Sequence, residues 1–326
     1  MVVIMPKISV IIPVYKVEKF IERCVRSLFE QTLDDIEYIF VDDCSPDESI
    51  KVMYIILEEY PHRKSQVKII RMETNSGQAA VRQRGVKECT GEYLIHCDSD
   101  DWVRKDAYEH LYRKAKAEGA DMVFSDFYVT DGIHNSLRTG DIPIDSKISL
   151  LSDVILNVHT SVWRYLCKRD LFEKNDIVFS KYNMGEDICI TTQLIFYSQK
   201  FSYLQEPLYY YYMNPTSILN SSGPDKCIGR MEQTKGSTDT VITFFQNKNL
   251  MNSLKTEVLS LKLACRFYVS ELTNTKNGRQ LWFSIYPEVS FKEVLFDIKL
   301  PTHQKLHFLA VYFYLYNLIR YIQKMR

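Results

Sequence analysis

Within its first hundred residues the chain repeats one pattern four times: a short β-branched or apolar run, then a polar cluster, then a segment of helical periodicity. The runs are Ile8–Ile12, Ile36–Val41, Val67–Met72 and Tyr93–Cys97. Ile8–Ile12 is a short β-branched run that reads as a buried parallel strand, and the other three read as the second, third and fourth strands of the series. Between the first two, Val17, Phe20, Ile21, Cys24, Val25, Leu28 and Phe29 recur at alternating steps of three and one, which places them on one helix face. Further helices are expected from Ser45-Pro46-Asp47 to about Tyr60, over Gln78–Cys89 and over Asp106–Glu118. Strands joined through helices must run parallel with right-handed crossovers, so the chain is expected to build an α/β doubly wound sheet. In such sheets ligands gather outside the carboxyl ends of the strands. Tyr15, Asp42-Asp43, Asn75-Ser76-Gly77 and Asp98-Ser99-Asp100-Asp101 all fall there.

Composition narrows the function. The 326 residues carry 41 Lys and Arg against 41 Asp and Glu, so the formal net charge is zero. A chain without a basic field is a poor binder of nucleic acid. Eight cysteines contain no C-x-x-C pair and several lie in apolar runs, which reads as reduced core thiols of a cytoplasmic protein rather than a zinc site. The run Ile8–Val14 is short, contains Pro13 and has neither a basic segment before it nor a small-residue cleavage site after it, so no signal peptide is expected. No segment approaches the roughly 18 apolar residues of a membrane span.

Beyond residue 120, Met122–Val129 and Phe201–Met213 read as strands, the latter rich in tyrosine. Asp131–Ser146 reads as a loop, and Lys168–Asn175 and Asp187–Tyr197 as helices. From about Ser221 the alternation ends. Asp225–Phe245, Ser253–Leu272 and His303–Arg326 read as helices. The expected organisation is a domain over 1–220, with halves 1–105 and 106–220, and a helical region over 221–326.

The polar clusters allow specific chemistry. Side chains alternate along an extended segment, so Asp98 and Asp100 can face one cation, and hard carboxylate oxygens suit Mg²⁺ or Mn²⁺. A solvated acidic turn is the plain alternative. Asp43 can accept hydrogen bonds from a nucleoside or cap a helix. Arg82 or Arg84 can reach a diphosphate or lie at the surface. Glu186-Asp187, at the start of an apolar helix, can complement the helix dipole or remove a proton from a hydroxyl.

Six segments in order resemble the family 2 glycosyltransferases of GT-A type: Lys7–Tyr15, Phe40–Asp47, Asn75-Ser76-Gly77 with Arg82, and Gly91-Glu92-Tyr93 ahead of Asp98–Asp101, followed by Trp163–Arg169 and Met184-Gly185-Glu186-Asp187. The last two resemble bacterial capsule and O-antigen transferases. The family usually has Gly where this chain has Cys44. The resemblance implies a GT-A, Rossmann-like, mainly parallel sheet flanked by helices, with a mostly helical C-terminal extension. It implies inverting transfer from a nucleotide-diphosphate sugar, a UDP-sugar by preference, to a hydroxyl of a carbohydrate acceptor, either a polysaccharide or one linked to a lipid diphosphate. Pro13, Val14, Tyr15 and Asp43 would hold the nucleoside, with Arg82, Asp98, Ser99 and Asp101 also on the donor side. Asp100 and Asp98 would hold the divalent cation. Asp187 would be the base, with Glu186 and Trp163 toward the acceptor. Processive synthases of the family carry a Q-x-x-R-W motif and membrane spans; neither is present, which points to one sugar per encounter.

Two other classes compete. A nucleotidyltransferase on a related sheet would open with a Gly- and basic-rich loop, which Pro13-Val14-Tyr15-Lys16 is not. A non-catalytic assembly partner would be expected to lack the carboxylates that this chain retains. Finally, residues 303–326 carry Tyr312, Tyr314, Tyr316 and Tyr321 with Arg320, Lys324 and Arg326. They read either as a core helix or as a peripheral contact with the inner face of the plasma membrane.

Overall fold

The computed structural model describes residues 5–139, 144–157, 159–214 and 223–316. Packing divides the chain into two units. The first comprises Met1–Ile144, Ser161–Phe179 and Ile190–Thr216, and the second Asp145–Thr160, Ser180–Cys189 and Ser217–Arg326.

The first unit is built on β1 (Ile8–Val14), β2 (Ile36–Asp42), β3 (Val67–Arg71), β4 (Tyr93–His96), β5 (Trp102–Val103), β6 (Met122–Thr130), β7 (Asn135–Arg138), β8 (Tyr165–Lys168) and β9 (Phe201–Tyr212). They form one sheet in the order β3-β2-β1-β4-β8-β6-β9-β5, with β7 paired to β6. β3, β2, β1 and β4 are mutually parallel, as are β6 and β9. β8 runs antiparallel between β4 and β6, and β5 antiparallel to β9.

The alternation of side chains along β1 explains why helices cover both faces. Ile8, Val10, Ile12 and Val14 meet Ile21, Cys24, Val25, Leu28 and Phe29 of α1 (Ile21–Phe29), together with Met53 and Ile56 of α2 (Ser49–Glu59). Ile11 faces the other way and packs with Ile39, Val41, Leu94 and Val81, the last from α3 (Gln78–Glu88). α4 (Ala107–Glu118) adds Tyr108, Leu111 and Ala115 to the α1 face.

Two expectations needed correction here. The stretch read as a loop contains β7, whose four residues are all exposed and carry no apolar alternation. The helix read over Lys168–Asn175 is β8's last residue followed by a single turn, α6 (Asp170–Glu173).

The second unit is helical. It contains α5 (Lys147–Leu156), the first turn of α7 (Glu186–Tyr197), α8 (Pro224–Asn247), α9 (Lys255–Phe267), α10 (Lys276–Ser284), α11 (Phe291–Phe296) and α12 (Thr302–Tyr312). Leu263, Cys265, Val269, Trp282, Val294, Phe308 and Val311 form its core. The helix expected to reach Leu272 stops at Phe267, where Arg266 turns inward. Its guanidinium lies 4.6 Å from the Trp282 ring centre and donates to the carbonyls of Ile285 and Tyr286, at 2.8 Å each. Burial lowers its pKa to about 10. α12 puts Phe308, Ala310 and Val311 into the core, while Phe313, Tyr314 and Leu315 after it are exposed. Tyr321, Arg320, Lys324 and Arg326 lie outside the described residues. No helix among the described residues is long and apolar enough to cross a membrane. All eight cysteines are free, and Cys44 alone among them is not buried.

Candidate functional site

The polar residues at the carboxyl ends of β1, β2 and β4 are organised by backbone bonds between loops. After β1 the chain is tied to the turn after β2: Lys16 N–H donates to Ser45 Oγ (2.8 Å), Val17 N–H to Ser49 Oγ (3.1 Å) and Glu18 N–H to Asp47 Oδ2 (3.1 Å). Asp47 also accepts from the hydroxyls of Ser45 and Ser49. Burial pushes its carboxyl up, but these bonds together outweigh that and hold it below the ordinary range. The residues expected to begin α2 thus link two loops, and the helix starts at Ser49. Within this frame Pro13 is half-buried, Val14 is buried and Tyr15 is 40% exposed.

Asp43 is 4% exposed. Its N–H donates to Val14 O (3.0 Å), and its two carboxylate oxygens accept from the N–H groups of Ser76 (2.7 Å) and Gly77 (2.8 Å). The carboxylate therefore clamps the turn ahead of α3, with further lone pairs available for a ligand. Cys44 has φ +54°, the left-handed region where a side chain is strained, and its thiol donates to Met72 O at 2.8 Å. That geometry accounts for the usual glycine in the sequences this segment resembles.

The acidic turn after β4 is held from three directions. Asp98 Oδ1 accepts from Arg82 Nη2 at 2.9 Å. Asp98 N–H donates to Tyr209 Oη (3.1 Å), and the same hydroxyl donates to Asp101 Oδ2 (2.6 Å). Asp101 Oδ1 accepts from Tyr212 N–H (2.7 Å), and Asp100 Oδ2 from Asn214 Nδ2 (3.0 Å). Burial, and then the charges of Asp100 and Asp98, push the Asp101 carboxyl well up. Burial also raises Asp100, with Asp98 adding to the effect and Asn214 opposing it.

This arrangement sorts the expected site residues. Asp98 and Asp100 come together at the mouth of the sheet. Ser99 lies between them, 5% exposed. Asp101 is 1% exposed with both oxygens bonded to β9, so it anchors the turn rather than facing a donor. Arg82 is fully buried, because α3 turns it toward the sheet; it orients Asp98 and has no surface with which to meet a diphosphate. Trp163 is 5% exposed and stacks on Tyr209 at 4.2 Å and 8°, which makes it a support for that tyrosine and not a contact for an acceptor. Glu186 is buried and Asp187 half-buried, in the first turn of α7 and in the second unit. Their turn is fixed by Gly185, at φ +73°, where an added Cβ would stand 3.4 Å from Ser237 Cβ of α8.

Arg23 was not anticipated from the sequence. It projects from the flank of α1, 3.5 Å from the centre of the Trp102 ring and 4.7 Å from that of Tyr212, and donates to Asp100 O at 3.3 Å. Its one sequence signal is a cation beside an apolar helix face, which is common.

The chemistry of the Asp98 and Asp100 oxygens fits a hard divalent ion. Oδ2 of Asp98 and Oδ1 of Asp100 have no side-chain partner among the described residues, and hard carboxylate oxygens of this kind suit such an ion. No group of three or more His, Cys, Asp or Glu side chains among the described residues is arranged to hold a metal. Oxygens from a bound diphosphate would have to complete the coordination.

Comparison with known proteins places this site in a family. Residues 9–179 match the model described as glycosyl transferase family 2. The chain is 31% identical over 221 residues to the uncharacterized glycosyltransferase EpsJ of Bacillus subtilis, covering 65% of this chain and 63% of that protein. It is 28% identical over 276 residues to the cholesterol galactosyltransferase of Borreliella burgdorferi, covering 80% and 73%. The match thus spans less than two thirds of EpsJ. Among solved structures, residues 1–349 of S. aureus TarS with UDP-GlcNAc superpose with a TM-score of 0.57 at 19% identity, over 82% of this chain and 83% of that one. The mannosyltransferase PcManGT of Pyrobaculum calidifontis, with GDP-Man and Mn²⁺, gives 0.56 at 14% identity, over 96% and 88%. At such identities the likeness shows a shared GT-A fold. The ordered loop motifs and the match over more than half its length show that the chain belongs to glycosyl transferase family 2.

Proposed function

We propose that this chain transfers one sugar at a time from a nucleotide-diphosphate sugar, a UDP-sugar in the first instance, to a hydroxyl of a saccharide acceptor in bacterial surface-polysaccharide synthesis, with inversion at the anomeric carbon. The observation that carries the reading is the Asp98–Asp100 pair, held at the mouth of the sheet by Arg82, Tyr209 and Asn214 in a family 2 chain. The UDP-GlcNAc and the GDP-Man with Mn²⁺ bound to the two structural neighbours support a nucleotide donor and a divalent ion. Relatives named as poly(ribitol-phosphate) glucosyl- and N-acetylglucosaminyltransferases support a polymeric or polymer-linked acceptor. A lipid diphosphate carrying that acceptor would place the work at the inner face of the plasma membrane.

In this mechanism Pro13, Val14, Tyr15 and the Asp43 clamp form the nucleoside end. Asp98 and Asp100 would hold the Mg²⁺ or Mn²⁺, whose chemistry there would be to neutralise charge on the leaving diphosphate. Asp187 takes the proton from the acceptor hydroxyl as its oxygen attacks the anomeric carbon and the bond to the diphosphate breaks. One displacement inverts the centre, and no protein nucleophile is needed.

The test is Asp187→Asn, with turnover and UDP affinity measured side by side. A loss of turnover of about 100-fold or more with UDP affinity unchanged is expected for a removed base. Loss of UDP affinity instead would move Asp187 out of that role.

A further inference from the structure

The segment that carries Glu186-Asp187 is fastened to one place on α8. Ser180 Oγ and Ser237 Oγ lie 2.8 Å apart, both side chains are buried, and Ser180 Oγ also accepts from Tyr182 N–H at 3.0 Å. Cys189 Sγ donates to Ser237 O at 3.3 Å. One tie therefore lies before the turn that opens α7 and one after Asp187, with the close approach of Gly185 to Ser237 between them. All of these residues belong to the second unit.

Gly236 adds a steric contact. A Cβ on it would stand 2.1 Å from the Tyr182 ring, whereas a Cβ on Gly229 of the same helix would meet nothing within 4 Å. Glycine weakens a helix interior through its backbone entropy. At Gly236 the missing side chain leaves the space that the Tyr182 ring occupies. The neighbouring turn of α8 is anchored in its own unit: Thr238 Oγ1 lies 3.4 Å from Cys265 Sγ of α9, and Tyr286 Oη donates to Asp239 Oδ1 at 2.7 Å. Close-packed interiors transmit strain. A group added at Gly236 or removed at Ser237 should therefore move the less anchored partner, the turn ahead of α7.

We propose that Gly236 and Ser237 are positioning residues for the Asp187 carboxylate, with α8 as the template that sets the first turn of α7. The inference rests on Asp187 being the base. Both residues lie beyond the stretch 9–179 that matches the family model, so the helical region contributes to the chemistry by placing a group that acts in it. They act through the turn and leave the nucleotide end untouched.

The experiment compares the full chain with Gly236→Ala, Ser237→Ala, Tyr182→Ala, the pair Gly236→Ala with Tyr182→Ala, and Asp187→Asn. UDP affinity in Mn²⁺ is measured by calorimetry. Turnover is read as UDP released from UDP-glucose, UDP-galactose and UDP-GlcNAc, with water in place of the acceptor hydroxyl. Amide hydrogen exchange is followed at residues 190–193, whose helical bonds to the carbonyls of 186–189 close the first turn of α7. Gly236→Ala and Ser237→Ala are each expected to lower kcat about tenfold or more, with UDP affinity within about twofold of the wild type, because a displaced catalytic group slows the chemistry without weakening the donor. Exchange at 190–193 quickens while exchange in β1 does not. Tyr182→Ala vacates the space the new Cβ needs, so adding Gly236→Ala in that background changes kcat and exchange by less than about twofold. A generally weakened fold would quicken exchange throughout and would show no such rescue.

The proposal is overturned if Gly236→Ala or Ser237→Ala keeps wild-type kcat or wild-type exchange at 190–193, or if the effect of Gly236→Ala persists without the Tyr182 ring. Exchange alone decides these points for donors that the wild type does not hydrolyse. Asp187→Asn separates the two levels. If it keeps wild-type turnover, the base reading fails and the proposal falls with it; if it loses turnover while the α8 variants do not, the proposal alone is overturned.

Discussion

Replacing Arg82 by methionine probes the link between α3 and the acidic turn. The Arg82 side chain is 1% exposed and its partner Asp98 is 22% exposed, at 2.9 Å. Removing one member of a fully buried pair costs about 3–5 kcal/mol, because the remaining charge loses its partner without regaining water. Asp98 keeps part of its surface in solvent and methionine fills much of the vacated volume, so about 2–3 kcal/mol is expected. The assay is urea unfolding of Arg82→Met, Asp98→Asn and the double variant, which isolates the coupling between the two groups. Asp98→Asn should reduce the cost of Arg82→Met, since Asp98 then carries no charge to be left without its partner. The reasoning is refuted if Arg82→Met lies within about 0.5 kcal/mol of the wild type, the range of an ordinary surface change.

Two further perturbations test the frame of each unit. In Gly91→Ala the new Cβ would stand 2.7 Å from both Ser9 N and Ser9 Oγ, and Gly91 N–H donates to Ser9 Oγ (2.9 Å) and to buried Glu37 (3.1 Å). Overpacking together with the disturbed bonds should cost about 3 kcal/mol in chemical denaturation; a near-neutral result would mean that β1 and the turn before β4 can separate without penalty. His307 Nε2 lies 2.7 Å from Ser270 Oγ, and burial, with a smaller contribution from His303, lowers its pKa to about 4 from 6.5. The unfolded state then binds the proton more readily, so the stability is fully present above pH 6.5 and is lost as pH falls toward 4. After allowance for partial exposure the loss is about 2 kcal/mol, and His307→Gln should flatten that slope in unfolding curves measured across the window.

The parts of this fold that can be read from sequence are those whose burial repeats with a period. β1 to β4 and α1 to α4 each present one continuous or one-sided apolar set, so pattern and position agree. β7 escapes because an exposed strand held only by backbone pairing to β6 leaves no such set. The same division runs through the site. Asp98 and Asp100 stand out because they end a buried strand. The burial of Arg82, Asp101 and Trp163 depends on what packs against them, and the partners of Asp101 and Trp163 come from β9, some 46 to 111 residues away. Arg23 is hidden for the same reason, since its contacts at Trp102 and Tyr212 are made only when β5 and β9 pair. Cys44 departs from the glycine usual in the sequences this segment resembles, and only the structure shows why glycine suits the position, at φ +54°.

The most direct test of the carboxylate pair is calorimetric titration of UDP into the wild type and Asp100→Ala, each with Mn²⁺ and with EDTA, alongside sugar-transfer assays. The account predicts that Mn²⁺ tightens UDP binding to the wild type about tenfold or more. It predicts that Asp100→Ala binds UDP equally in both conditions, at the affinity of the metal-free wild type, and transfers no sugar. A variant that still gains affinity from Mn²⁺, or a protein that keeps near-normal turnover in EDTA, would contradict it.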